Sequence, residues 1–458
     1  MKCILHLVLV GWPLVFATAA NCANIEWFKQ LGSSARDGAY DVTADAIGNV
    51  IIVGRTDGDF GGPYQGFTDA FVTKYDATGD QLWARQFGTD SSDVGYGVAA
   101  DAQGSVYVTG STSGNLVGPW YHGSSKAFLF KFDAGGNLLW KHQSDISNSH
   151  GIGVAADELG FVYISGFADV NARSEAFLSK YSASGDVIWS RRLSTPAGGT
   201  ARYVGSTDLA VDKQGNIYTA GATDGSLAGP NAGEGDAFLA KYDANGEVLW
   251  TRQYGTILQD SIQGVSIDPF GNIYATGQTD GSLAGELKGN HDAFLIKCDS
   301  DGNLLWARQS GTAGYEAGDG VSTDRFGNAY VTGFTDGDFG GVGAGNLDVF
   351  ISMYGADGDL RWTRQFGTEV KDTAAGIVTD GKGHLYVAGT VDTYVGGMTV
   401  TDSSAFLAKI TIPEPSPGLL AFVLAASVRR TRRQAGFPAG KGETEKTAGK
   451  GDAEAAAG

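Results

Sequence analysis

A tryptophan returns along this chain at a nearly constant distance. Trp27, Trp83, Trp140, Trp189, Trp250, Trp306 and Trp362 are separated by 56, 57, 49, 61, 56 and 56 residues. Each sits in a version of one stretch, clearest as DAFLAKYDANGEVLWTRQYG at Asp236–Gly255. A fixed period of this size means a repeat architecture, in which each copy covers the apolar faces of its neighbours. Length alone would suggest about two to four ordinary domains. The repeat overrides that expectation and makes most of the 458 residues one closed unit.

Each period contains four strand-like runs. In the fourth copy they are Asp208–Asp212 (DLAVD), Asn216–Ala222 (NIYTAGA), Asp236–Asp243 (DAFLAKYD) and Glu247–Tyr254 (EVLWTRQY). The last two alternate apolar with polar residues, as sheet strands do. The first two runs are always joined by Asp-x-x-Gly, at Asp45–Gly48, Asp101–Gly104, Asp157–Gly160, Asp212–Gly215, Asp268–Gly271, Asp324–Gly327 and Asp380–Gly383. Similar turns, such as Asp76–Gly79 and Asp243–Gly246, join the last two. The aspartate accepts backbone N–H bonds and the glycine takes the left-handed position of a short hairpin. These carboxylates are read as turn formers.

Four antiparallel strands, repeated, are the blades of a β-propeller. Units begin near Asp41, Gly97, Gly153, Asp208, Gly264, Gly320 and Gly376, which counts seven blades. The seventh ends at Ser404–Thr411 (SAFLAKIT) with no fourth strand after it, while the chain opens on Ile25–Gly32 (IEWFKQLG), a fourth strand with no blade of its own. Joining the two closes the ring and removes two open sheet edges. The expectation is an all-β, seven-bladed propeller over residues 25–411. The seven tryptophans and the repeated Phe71, Phe128, Phe177, Phe238, Phe294, Phe350 and Phe406 then become packing residues.

The motifs GVA-D-x-x-G-N-x-Y-V-T-G, T-D-G and D-A-F-L-x-K-Y-D resemble those of the SBBP family of bacterial β-propeller repeats. That resemblance implies the fold over residues 25–411 and no general activity.

The ends of the chain read as addresses. Lys2, the apolar run Ile4–Ala17 and Ala17-Thr18-Ala19 fit a secretory signal peptide over residues 1–19. Residues 412–433 hold Pro413-Glu414-Pro415, an apolar stretch at 418–428 and the basic cluster Arg429–Arg433. This order resembles the PEP-CTERM sorting signal of Gram-negative bacteria. The resemblance implies processing by an exosortase and delivery to the cell surface or extracellular matrix. Eleven apolar residues make a helix of about 17 Å, short of the ~30 Å hydrocarbon core, which suits transient anchoring. Residues 434–458, rich in Gly, Ala, Lys and Glu, are expected to be disordered.

A net charge of −18 argues against a nucleic-acid partner, since phosphate binding wants a basic face. Of three cysteines, Cys3 lies in the expected leader, so a disulfide scaffold is excluded. Cys298 stands where other copies have Tyr75, Tyr181 or Tyr242 and is expected to pack. The six histidines lack metal-ligand spacing, and there is no nucleophile elbow or phosphate loop. No catalytic residue and no cofactor is assigned.

Function is expected on the face opposite the Asp-x-x-Gly turns, where loops are longer and vary. Two features stand out there. Asp37, Asp93, Asp260, Glu316 and Asp372 lie four residues before the inner-strand glycine or its equivalent, with Ser149 and Val204 in the remaining copies. They read either as a ligand or calcium site near the channel mouth or as caps that bond their own loop. Trp120-Tyr121 lies off the repeat pattern and reads either as a stacking pair for a sugar or protein or as loop packing. The expectation is a secreted, non-enzymatic binding or structural module with a polysaccharide or envelope-protein partner. The alternative is a polysaccharide lyase or hydrolase using the same face.

Overall fold

The computed structural model describes residues 23–118, 124–170, 173–195, 203–395 and 398–412. The leader, Trp120-Tyr121, Pro413-Glu414-Pro415, the apolar run 418–428 and the tail 434–458 lie outside the described residues. The chain divides into two units, Met1–Pro413 and Glu414–Gly458, and the fold concerns the first.

Seven four-stranded antiparallel sheets follow one another along the chain. The first has the order Asp37–Ala44, Val50–Thr56, Asp69–Tyr75 and Gln81–Phe87, from inner to outer strand. The last is composite. Asp372–Thr379, His384–Val395 and Met398–Thr411 are completed by Asn24–Leu31 from the other end of the described chain. Trp27 lies opposite Lys409 and Leu31 opposite Ala405, so the ring is closed as its two incomplete ends require.

Burial explains why the second and third strands lack a polar face. Asp69–Tyr75 and Asp236–Tyr242 are buried at every position, because each sheet is covered by a blade on both sides. Tyr107, Tyr163, Tyr218, Tyr274, Tyr330 and Tyr386 from second strands, with six of the seven repeated phenylalanines, are the largest fully buried side chains. Each such ring contributes about 2 kcal/mol on burial, so the core is a stack of like aromatic layers. Cys298 is fully buried as a packing residue, with the Tyr254 hydroxyl 3.3 Å from its sulfur.

The outer strands latch each blade to the next. Trp83 donates its indole N–H to the Ala134 carbonyl at 3.0 Å, and Arg85 Nε donates to the Gly136 carbonyl at 2.6 Å. The same pair recurs as Trp189 to Ala244 with Arg191 to Gly246, Trp250 to Ser300 with Arg252 to Gly302, and Trp306 to Ala356 with Arg308 to Gly358. The receiving turn needs glycine twice over. Gly136 has φ +80°, and a Cβ there would lie 2.6 Å from the Trp83 ring.

On the opposite edge of each blade the Asp-x-x-Gly aspartates hold their turns. Asp45 Oδ1 accepts the Ile47 and Asn49 amides at 3.1 and 2.9 Å, and its Oδ2 meets the buried Lys74 ammonium at 2.9 Å. Elsewhere the aspartate also takes a buried tyrosine hydroxyl, as Tyr107 donates to Asp101 at 3.0 Å. The turn, the second strand and the third strand are thereby tied through one carboxylate.

Candidate functional site in the central channel

Each inner strand carries a β-bulge. The register slips between Ala39 and Asp41, Gly95 and Gly97, Gly151 and Gly153, Ser206 and Asp208, Ile262 and Gly264, Gly318 and Gly320, and Ala374 and Gly376. The unpaired residues are Tyr40, Tyr96, Ile152, Thr207, Gln263, Asp319 and Ala375. A bulge takes one side chain out of the ladder and re-aims it. All of these residues are half-buried, whereas the residue before each is buried. The innermost strands thus offer the channel one side chain per blade, and almost no two of these side chains are alike.

The next residue makes the waist. A Cβ on Gly97 would lie 2.3 Å from the Ile152 carbonyl of the third blade, and one on Gly153 would lie 2.9 Å from the Leu209 amide of the fourth. Backbone meets backbone here, which only glycine allows. Two blades have aspartate instead. Asp41 accepts its own neighbour Val42 N–H at 2.7 Å and the second blade's Val98 N–H at 2.9 Å. Asp208 accepts Leu209 N–H at 2.8 Å and Val265 N–H at 2.8 Å. Burial pushes both carboxyls up to about 7, and for Asp41 the charge of Asp208 adds to it.

On the loop-rich side of the waist lies a cavity of about 300 Å³. Four bulge residues, Tyr40, Gln263, Asp319 and Ala375, line it together with Phe334, Thr373 and Thr390. Asp319 is pushed up to about 8 by burial alone. No backbone amide and no side chain among the described residues hydrogen-bonds or ion-pairs with its carboxylate, whereas Asp41 and Asp208 each accept two backbone amides.

The beta-propeller repeat profile called SBBP matches residues 82–116, 188–228, 249–284 and 305–340, each window running from an outer strand across the inner and second strands of the next blade. The chain carries SBBP beta-propeller repeats. Among curated proteins, the regulatory protein FlaEY of Caulobacter vibrioides is 26% identical over 198 residues, which is 39% of this chain and 19% of that protein. The match thus spans about a fifth of that relative's length. Among solved structures, YCF48 bound to D1 peptide aligns at 11% identity and a TM-score of 0.47, over 86% of this chain and 98% of that one. The PQQ-bound aldose sugar dehydrogenase of Streptomyces coelicolor aligns at 12% identity and a TM-score of 0.38, over 69% of this chain and 94% of that one.

The five acids singled out from the sequence open the inner strands of their blades and are at most 2% exposed. Each caps the connector that precedes it. The Ser33 amide donates to Asp37 at 2.7 Å, Thr89 to Asp93 at 2.7 Å, Thr256 to Asp260 at 2.6 Å, Thr312 to Glu316 at 2.7 Å and Thr368 to Asp372 at 2.5 Å. The neighbouring hydroxyl donates as well, as in Thr89 to Asp93 at 2.8 Å. These are the hydrogen bonds that the capping role requires. Burial raises the pKa of Asp37, Asp93 and Asp260, and takes Asp372 to about 7 with help from the charges of Asp348 and Asp392. Among the described residues, no three His, Cys, Asp or Glu are grouped to hold a metal ion. Trp120 and Tyr121 lie outside the described residues, so the geometry does not bear on them.

Two sets of residues escaped the sequence reading. The first is the bulge ring itself, whose signal was a residue that changes from copy to copy just before a nearly constant glycine. The second is a glutamine in the Arg-Gln-x-Gly segment. Gln86 Nε2 donates to Asp69 Oδ2 at 2.7 Å and to the Gly58 carbonyl at 3.0 Å, while its Oε1 accepts the Phe60 amide at 2.8 Å. Gln253, Gln309 and Gln365 clasp their loops in the same way, so the loops above the channel are pinned from the outer strand.

Proposed function

We propose that this chain is a secreted, surface-directed and non-enzymatic binding module that takes its ligand on the loop-rich side of the channel. The supporting observation is where the blades differ. Their turns, latches and aromatic layers repeat, while the bulge residue, Tyr40, Tyr96, Ile152, Thr207, Gln263, Asp319 or Ala375, changes around the ring. A scaffold that repeats its turns, latches and aromatic layers while this inward side chain changes is suited to presenting those side chains.

The leader at 1–19 and the sequence around Pro413-Glu414-Pro415 support export, processing by an exosortase-type enzyme and display at the surface or in the extracellular matrix of a Gram-negative bacterium. The partner in this reading is a matrix polysaccharide or an envelope protein. The test is retention of the purified propeller on matrix polysaccharide and on envelope extract. Retention that falls on Tyr40→Ala or Asp319→Asn supports the reading; no retention on either overturns it, and cleavage of the polysaccharide would make the protein an enzyme instead. Fractionation of cells carrying Glu414→Ala tests the address: the variant is expected to stay with the membrane, and unchanged release would remove the sorting signal from the proposal.

A further inference from the structure

We infer that the cavity beside Asp319 is a receptor for an organic cation, an ammonium or guanidinium group carried on a slender stem. This deepens the binding-module reading and rests on it. The bulge of the sixth blade, between Gly318 and Gly320, takes Asp319 out of the ladder. Its carboxylate reaches a cavity of about 300 Å³ and has no hydrogen-bonding or ion-pairing side chain among the described residues. An acid in such surroundings is costly to ionise, and a cation entering the cavity would offset that cost. The space suits the head and stem of a lysine- or arginine-like group and little more.

The rest of the lining argues for an organic cation over a metal ion. Tyr40 and Phe334 supply aromatic surface in the same cavity, and aromatic faces attract ammonium and guanidinium groups. Gln263, Thr373 and Thr390 supply neutral oxygens that can accept the remaining N–H donors. A divalent ion would want several charged oxygens, whereas Asp319 is the sole acid in this lining. Arg55 acts electrostatically on Tyr40, but the shift of Asp319 has burial as its only cause, so the positive charge of Arg55 does not already fill the role. The net charge of −18 draws cations toward the molecule from a distance.

The experiment is calorimetric titration of the purified propeller with Gly-Lys-Gly, Gly-Arg-Gly, Gly-Gln-Gly and n-butylamine. Saturable binding of a basic tripeptide, with none for the glutamine peptide, is expected. Asp319→Asn should weaken it tenfold or more, and Phe334→Leu, which keeps apolar volume but removes the ring, should weaken it by about threefold. Tighter binding of the tripeptides than of n-butylamine would identify a basic side chain of a protein as the source; equal binding would identify a free amine. Absence of binding at millimolar peptide, or binding that Asp319→Asn leaves unchanged, overturns the inference. Retention on matrix or envelope material, measured separately, then tells whether the binding module survives without this site.

Discussion

The indole of Trp83 in the first blade and the carbonyl of Ala134 in the second are joined by a hydrogen bond of 3.0 Å that crosses the gap between sheets. The equivalent indole at the ring closure, Trp27, is half-buried, and its buried Nε1 is unpartnered among the described residues. The two should respond differently to the same change. Trp83→Phe removes a made bond and should cost about 1 kcal/mol or more, because the Ala134 carbonyl loses its donor. Trp27→Phe removes an unsatisfied donor and should be neutral or slightly stabilising. Urea unfolding of the two variants checks the contrast, and equal losses would show that only ring volume matters.

Ring closure is the second point of vulnerability. Arg364 is 6% exposed and its guanidinium donates to the Ala23 carbonyl, where the segment leading into Asn24–Leu31 joins the last blade. Burial lowers its pKa to about 10, so it stays charged at neutral pH. Arg364→Ala should loosen that segment and bare the edge of Met398–Thr411, a template for pairing with other chains. A lower melting temperature with dimers or larger species on size exclusion is expected. A monodisperse variant of unchanged stability would mean that strand pairing alone secures the closure.

The acid lining the cavity makes stability depend on pH. Asp319 titrates near 8 in the folded protein against a usual value of 3.8. The folded state therefore holds this proton over a range in which the unfolded chain has released it, and stability falls as pH rises from about 4 to about 8. Asp319→Asn should match the wild type near pH 4, melt increasingly above it as pH rises, and hold a constant advantage beyond pH 8. Melting curves across that range check this. A difference independent of pH would mean that the carboxyl ionises freely in the folded state.

The waist tolerates no side chain at its glycines. Gly97→Ala would set a Cβ against the Ile152 carbonyl, where 2.3 Å is available, and should cost about 1–3 kcal/mol. Gly271→Ala meets nothing within 4 Å, and its φ of +83° leaves only backbone strain, costing about 1 kcal/mol. A larger loss for Gly97 in chemical denaturation is the expected order.

Much of the fold could be read residue by residue. The tryptophan spacing counted the blades, Asp-x-x-Gly marked the hairpins, and the unmatched strand at Ile25–Gly32 pointed to its partner at Ser404–Thr411. The site was harder. Asp93 and Asp260 drew notice as repeated acids, and in the structure each accepts the backbone amide of the connector that precedes it. Asp319 and Tyr40 drew none, because a bulge is an offset between two strands, and within one strand its mark is only a residue that varies ahead of a nearly constant glycine.

What the sequence determined by itself was everything local or periodic. Turn chemistry depends on a few neighbouring residues, and blade number depends only on how often the pattern returns. What the tertiary structure alone decided was which way each side chain faces and what it meets. The Trp83 bond to Ala134, the approach of Gly97 to Ile152 and the solitary carboxylate of Asp319 all arise where one blade lies against another or where the inner strands converge. Those encounters depend on closing the ring, and closure brings together residues that no local pattern relates.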